Sequence, residues 1–259
     1  MAIITDVVND FTRIIDRRHE DYIVSSPDFF WSFLLFYVFS IKVLGPKLMK
    51  NRQPYNIQNI IIGYNVIQIV MNLYLVYRCI YMYVTNRNWI CMDSKDKDYF
   101  ADTSKYYYYL KLFDFVETVF FILRKSYRQA SFLHLYHHGL IFFGAFLNFR
   151  YDLAEASFIV GLLNSATHVL MYIYYLLTAM DSEWRTNVTL KKSLTLIQIV
   201  QLNLLWVYTG LLQVIPDCQT IPKYVQLVWM AQNLFMVNLF LRFYFKSYVN
   251  KKVSVSTRE

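Results

Sequence analysis

Apolar runs of about 20 residues recur along this chain, close to the length that crosses roughly 30 Å of hydrocarbon. Lipid offers no partners to backbone N–H and C=O groups, so such runs fold as helices that satisfy their own backbone. Seven spans are predicted, at about 28–45, 57–84, 106–123, 131–149, 154–179, 190–215 and 224–247. The second is long enough to tilt. The fold class is an all-α polytopic membrane protein, with residues 1–259 forming one membrane-embedded domain. With 56% hydrophobic and 19% aromatic residues, the composition suits lipid-facing and interfacial positions. The net charge of +8 sits in short stretches between apolar runs, which excludes a folded nucleic-acid-binding surface.

Both ends are short. Asp6 and Asp10 interrupt the first apolar residues, so no cleavable signal peptide is expected. Ile3, Ile4, Val7, Val8, Phe11, Ile14 and Ile15 share one helical stripe, as in an amphipathic segment lying on the membrane over residues 1–20. Residues 248–259 form a tail. One set of flanks is the richer in Lys and Arg: Lys42, Lys47, Lys50 and Arg52; Arg124, Lys125 and Arg128; Arg185, Lys191 and Lys192; and the tail. By the positive-inside rule that side is cytosolic, which puts the amino terminus in the lumen or outside. Cys79 falls inside the second span, as a small apolar filler. Cys91 and Cys218 fall in loops on the non-cytosolic side, where disulfides can form.

Polar residues inside these spans carry the chemistry. The chain has five histidines, and three of them, His134, His137 and His138, form HLYHH at the start of the fourth span. Spacings of three and four put them on one helix face. Lys111, Asp114 and Glu117 interrupt the third span, and Asn164 and His168 lie a turn apart in the fifth. Gln198 and Gln201 belong to the sixth, Asn65 and Gln68 to the second, and Asn238 to the seventh. Such groups face a bundle interior rather than lipid. Each Gln or Asn alone reads as a hydrogen bond between neighbouring helices, and Lys111–Asp114 as a local ion pair. Three imidazoles on a turn and a half have no simple structural use.

The cluster leaves two chemistries open. Membrane di-iron enzymes need more histidines than this chain holds, although one zinc with three or four ligands remains possible. The alternative is metal-free acyl chemistry, with imidazole as nucleophile or base and a carboxylate such as Asp114 or Glu117 to orient it.

The chain resembles the very-long-chain fatty acid elongases from end to end. The resemblance is carried by GPKLMKNRQPY after the first span, LKLFDFVETVFFILRK in the third, HLYHH in the fourth, NSATHVLMYIYY in the fifth and TLIQIVQ in the sixth. In that family the third-span motif usually reads K-x-x-E-x-x-D-T. Here Lys111, Asp114, Glu117 and Thr118 exchange each acid for the other. The resemblance implies seven helices, six of them enclosing a narrow acyl tunnel. It implies condensation of a long-chain acyl-CoA with malonyl-CoA to a 3-oxoacyl-CoA two carbons longer, CO2 and CoA. No cofactor or metal is expected. In this reading His137 takes the acyl group, His134 and His138 position it, and His168 assists. Asn164, Gln198 and Gln201 donate to a developing oxyanion. Asp114 and Glu117 orient the cluster, with Lys111 as their counter-ion. Arg124, Lys125, Arg128, Lys191 and Lys192 meet the CoA phosphates. The resemblance further implies a Cys91–Cys218 disulfide, residence in the endoplasmic reticulum membrane with a lumenal amino terminus, and association with the reductases and dehydratase that complete an elongation cycle. The alternative enzyme class is a metal-dependent membrane lipid desaturase or hydroxylase. The non-enzyme alternative is a seven-helix receptor or transporter.

Overall fold

A computed structural model describes residues 23–85, 97–151, 154–215 and 223–250. Among them every regular element is helical. The long helices are α1 (Pro27–Met49), α2 (Gln58–Thr85), α3 (Lys97–Leu123), α4 (Phe132–Tyr151), α5 (Ala154–Met180), α6 (Val188–Val214) and α7 (Lys223–Tyr244). A five-residue turn of helix, Ser182–Thr186, precedes α6. Five are long and apolar enough to cross a membrane: α1, α2, α5 over Phe158–Met180, α6, and α7 extended to Val249. Neither α3 nor α4 is among those five. Lys97, Asp98, Asp102, Lys105, Lys111, Asp114 and Glu117 dilute the hydropathy of α3, and HLYHH, Asn148 and Arg150 dilute that of α4.

Helix positions follow the expected spans, with two differences. The third span was expected from residue 106, whereas α3 begins at Lys97, with Asp98 in its first turn where a negative charge suits the helix dipole. The first was expected to end near residue 45, whereas α1 runs on to Met49. Pro46 cannot donate a backbone N–H, and its ring collides with the carbonyl four residues back. The helix accommodates it by widening to a π-turn over Ser40–Leu44, where Gly45 N–H donates to the Ser40 carbonyl. The segment 1–20, Cys91, Cys218 and the tail beyond Asn250 lie outside the described residues.

The chain divides into two compact units, residues 1–61 with 77–158, and residues 62–76 with 159–259. In the first unit α1 packs on both α3 and α4, and α3 packs on α4. An eight-residue connection (124–131) makes α3 and α4 antiparallel neighbours. Their core is aromatic. Phe30 stacks on Phe146 at 4.7 Å and Phe142 at 5.3 Å, and Tyr108 stacks on Phe142 and Phe149, both at 5.2 Å. Such pairs contribute about 0.5–1.5 kcal/mol each beyond their burial. Ser26 caps α1 by accepting from Phe29 N–H, with Pro27 in the first turn where its missing N–H costs nothing. The turn before it is tied down from afar: Tyr108 Oη donates to the Val24 carbonyl at 2.7 Å and Arg150 Nη1 to the Ser25 carbonyl at 2.9 Å.

The end of α3 is closed by a Schellman pair, Ser126 N–H to the Phe121 carbonyl and Lys125 N–H to the Ile122 carbonyl. Lys125 therefore takes the left-handed conformation, φ 56°, usually given to glycine. Its ammonium donates to the Lys50 carbonyl at 3.4 Å, and Tyr55 N–H donates to the Leu123 carbonyl at 3.0 Å. The loop after α1 is thus stitched to the end of α3.

Gly45 makes that approach possible. A Cβ there would lie 2.7 Å from Ile122 Cγ2 and 2.9 Å from the Ser40 carbonyl oxygen, and a backbone oxygen cannot step aside. Gly45→Ala is expected to destabilise the protein by about 1–3 kcal/mol. Gly63→Ala meets nothing within 4 Å and is expected to be neutral or mildly stabilising. Melting temperatures of the two variants in one detergent check this; equal values for both would refute the packing argument.

In the second unit α6 packs along α7. Asn187 caps α6, its Oδ1 accepting from Leu190 N–H at 3.0 Å. Gln213 donates to Gln226 at 2.8 Å and Asn233 to the Leu202 carbonyl at 2.9 Å. These are the inter-helix hydrogen bonds expected of amides in an apolar bundle. On α2, Asn72 donates to Gln68, which donates to the Tyr64 hydroxyl.

Candidate active site

Spacing along α3 sets the site. Lys111, Asp114, Glu117 and Thr118 recur at three and four residues, fall on one face and are all buried. Lys111 Nζ meets Asp114 Oδ2 at 3.0 Å, with both side chains fully enclosed. This is the local ion pair expected from the sequence. One turn on, α3 meets HLYHH. Glu117 Oε2 lies 3.9 Å from His138 Nε2, beyond hydrogen-bond length but close enough to bias the ring electrostatically. Thr118 Oγ1 lies 2.8 Å from His134 Nε2. The His134 and His138 rings are 4.2 Å apart, and His137 meets His138 nearly perpendicularly at 5.6 Å.

A third helix reaches the same cluster. Tyr37 on α1, 6% exposed, donates its hydroxyl to Thr118 Oγ1 at 2.8 Å. Thr118 Oγ1 accepts from Tyr37 and shares a hydrogen bond with His134 Nε2, its donor set by the imidazole tautomer. The chain of contacts Tyr37–Thr118–His134 holds one imidazole in place, while Glu117 stands beside its neighbour.

The cluster also contains a group of residue types able to hold a metal ion. Glu117, His134 and His138 each offer a ligand atom, all within 4.8 Å of one another, the one such group among the described residues.

Residues 22–256 match the family described as ELO, the GNS1/SUR4 family. The chain belongs to that family. It is 32% identical over 91% of its length to very long chain fatty acid elongase 7 of Drosophila melanogaster, covering 74% of that protein. To very long chain fatty acid elongase F of the same fly it is 32% identical over 88% of its length, covering 91% of the relative. The mouse protein very long chain fatty acid elongase 1 is 28% identical over 97% of this chain, with 93% of the relative covered.

Within this GNS1/SUR4 chain, the first unit brings together His134, His137, His138 and Glu117, with the Lys111–Asp114 pair next along α3. The second unit holds its own polar group. Asn164 and His168 are buried at i,i+4 on α5, and His168 lies edge-on to Tyr172 at 5.7 Å. Gln198 donates to Met171 Sδ at 2.8 Å, and Gln201 is buried. Of the basic residues, Arg124, Arg128 and Lys192 are exposed and Lys191 is half-buried. Lys192 sits 5.7 Å over the Tyr244 ring. Lys125 is engaged by the loop after α1. Tyr37 was not expected in the site. A tyrosine in a uniformly apolar span reads as an interfacial aromatic, and only its burial against Thr118 tells otherwise.

Proposed function

We propose that this protein is a fatty acid elongase of the 3-oxoacyl-CoA synthase type, joining a long-chain acyl-CoA to malonyl-CoA. The observation that carries the reading is the cluster of three histidines against the buried Glu117, in a chain whose relatives are named very long chain fatty acid elongases. A His137 ring nitrogen attacks the thioester carbonyl, the C–S bond breaks, and CoA leaves as a thiol once protonated. The acyl group rests on the imidazole. Malonyl-CoA then loses CO2, its α-carbon attacks the acyl carbonyl, the C–N bond breaks, and His137 is restored with a 3-oxoacyl-CoA formed. His134, hydrogen-bonded to Thr118, and His138, beside Glu117, position His137 and carry protons. His168 assists acyl transfer, and Asn164, Gln198 and Gln201 supply donors to thioester or enolate oxygen. Arg124, Lys125, Arg128, Lys191 and Lys192 attract the CoA phosphates. The acyl chain occupies a narrow tunnel free of water, which an acyl-imidazole requires.

The proposal includes seven membrane crossings, with α3 and α4 among them. It places the protein in the endoplasmic reticulum membrane with a lumenal amino terminus and cytosolic carboxy terminus, working beside the other enzymes of an elongation cycle. The test is an elongation assay on membranes, with a panel of acyl-CoAs and labelled malonyl-CoA. Chain extension by two carbons is expected, and its absence across the panel would refute the reading.

Two further results are expected. Asn187-Val188-Thr189 reads as a glycosylation sequon, and Asn187 is exposed. In the proposed orientation it faces the cytosol, so glycosidase treatment should leave gel mobility unchanged; a shift would invert the topology. Tyr37→Phe should leave the fold intact and remove the hydrogen bond that Tyr37 donates to Thr118, loosening the hold on His134. Loss of about 1 kcal/mol of positioning corresponds to a roughly fivefold fall in kcat with KM unchanged. A KM effect alone would remove Tyr37 from this role.

The ligand-capable group Glu117, His134 and His138 supports a second reading, a metal-dependent desaturase or hydroxylase. Elemental analysis of purified protein separates the two: stoichiometric iron or zinc favours the second, trace metal the first.

A further inference from the structure

The stretch GPKLMKNRQPY takes no part in the chemistry above, yet it builds a second feature of the first unit. Between the end of α1, the loop after it and the last turns of α3 lies a groove of about 470 Å³. That is within the roughly 300–1,000 Å³ of small-ligand sites. Leu44 and Leu48 of α1 and Val119 and Ile122 of α3 line it, with Arg52 and Tyr55 of the loop. Leu48 is 57% and Val119 44% exposed, so the groove opens sideways through apolar surface.

Its polar end is built rather than incidental. Arg52 Nη1 donates to Tyr55 Oη at 2.9 Å, and Tyr55 N–H donates to the Leu123 carbonyl at 3.0 Å. Lys125 Nζ holds the Lys50 carbonyl. The charge around it is of one sign. Residues 40–58 contain Lys42, Lys47, Lys50 and Arg52 and no acid; residues 119–135 contain Arg124, Lys125 and Arg128 and no acid. An apolar trough open to the side, ending in a fixed guanidinium amid uncompensated positive charge, matches an amphiphile with an acyl tail and an anionic head.

We propose that this groove binds one anionic glycerophospholipid of the surrounding leaflet, its acyl chain along Leu44, Leu48, Val119 and Ile122 and its phosphate at Arg52. The inference rests on the reading that the ends of α1 and α3 lie at a membrane surface. It does not depend on the reaction at HLYHH. A short-chain peptide partner fits poorly, because the walls offer side-chain carbon and almost no backbone donors or acceptors.

The test is native mass spectrometry of the full-length protein in detergent, titrated with phosphatidic acid or phosphatidylcholine of equal chain length. Wild type is expected to retain one phosphatidic acid at least fivefold more than phosphatidylcholine. Leu48→Trp, which fills the trough at an exposed position, and Arg52→Gln, which removes the headgroup contact, should each abolish that preference while leaving the melting temperature unchanged. Equal retention of both lipids would overturn the proposal. So would a preference that survives Leu48→Trp, which would mean surface charge alone attracts the lipid. Displacement by glycerol 3-phosphate would identify a polar ligand, and displacement by long-chain acyl-CoA at equal concentration would assign the groove to substrate; either overturns it. Failure of the elongation assay leaves this binding result standing. Complete extraction of the protein from membranes by alkaline carbonate would instead remove the membrane reading on which it rests.

Discussion

Purified protein given a long-chain acyl-CoA alone is expected to release about one CoA per polypeptide and to carry an acyl adduct on the peptide containing His137. His137→Ala is expected to abolish both and to lower turnover by about a thousandfold or more. The reason is division of labour within HLYHH. His134 is engaged by Thr118 at 2.8 Å, and His138 stands 3.9 Å from Glu117. The first ties its ring to α3; the second sets a carboxylate beside the other ring. His137 meets His138 nearly perpendicularly at 5.6 Å, one turn from His134, so both neighbours can position it as the nucleophile. A two-step order also spares the site from holding two CoA groups at once. CoA release that begins only when malonyl-CoA is added, with no adduct, would assign His137 to base catalysis in a direct condensation.

Lys111→Met is expected to destabilise the protein by about 3–5 kcal/mol, because it takes the cation away from the buried Asp114 carboxylate. Lys111 is 1% and Asp114 0% exposed, so water cannot compensate. Lys111→Met combined with Asp114→Leu removes both charges and should recover most of that loss, since a buried pair replaced by apolar side chains of similar size is often neutral. Thermal melts of the single and double variants measure the coupling. A double variant no more stable than Lys111→Met would mean that the pair contributes through its hydrogen bonds rather than through mutual neutralisation. Activity is a separate readout: if the pair only holds α3, the double variant keeps turnover.

Much of this was legible from residue spacing. Lys111 and Asp114 at i,i+3 announced an ion pair, and Glu117 at one further turn announced a second carboxylate on the same face of that helix. The helices lie where apolar runs put them. Misreadings arose where a local signal was outvoted. The charged residues Lys97, Asp98, Asp102 and Lys105 looked like a loop, but a helix start tolerates charge, and an acid in its first turn helps. Gly45-Pro46 looked like a stop, but a π-turn absorbs the proline. Tyr37 was invisible for another reason. Its role depends on a partner 81 residues away, and no periodicity encodes that pairing.

The hydrogen bonds that fix the lead-in to α1 set a timetable for biogenesis. Val24 waits for Tyr108, 84 residues downstream, and Ser25 waits for Arg150, 125 residues downstream. Phe30, fully enclosed in the finished protein, has its stacking partners Phe142 and Phe146 on α4. At about 5–20 residues per second, synthesis of that interval takes roughly 6–25 s. Until the end of it Phe30 lacks the two rings of α4 on which it stacks, so the amino-terminal bundle closes only as the ribosome delivers the fourth helix.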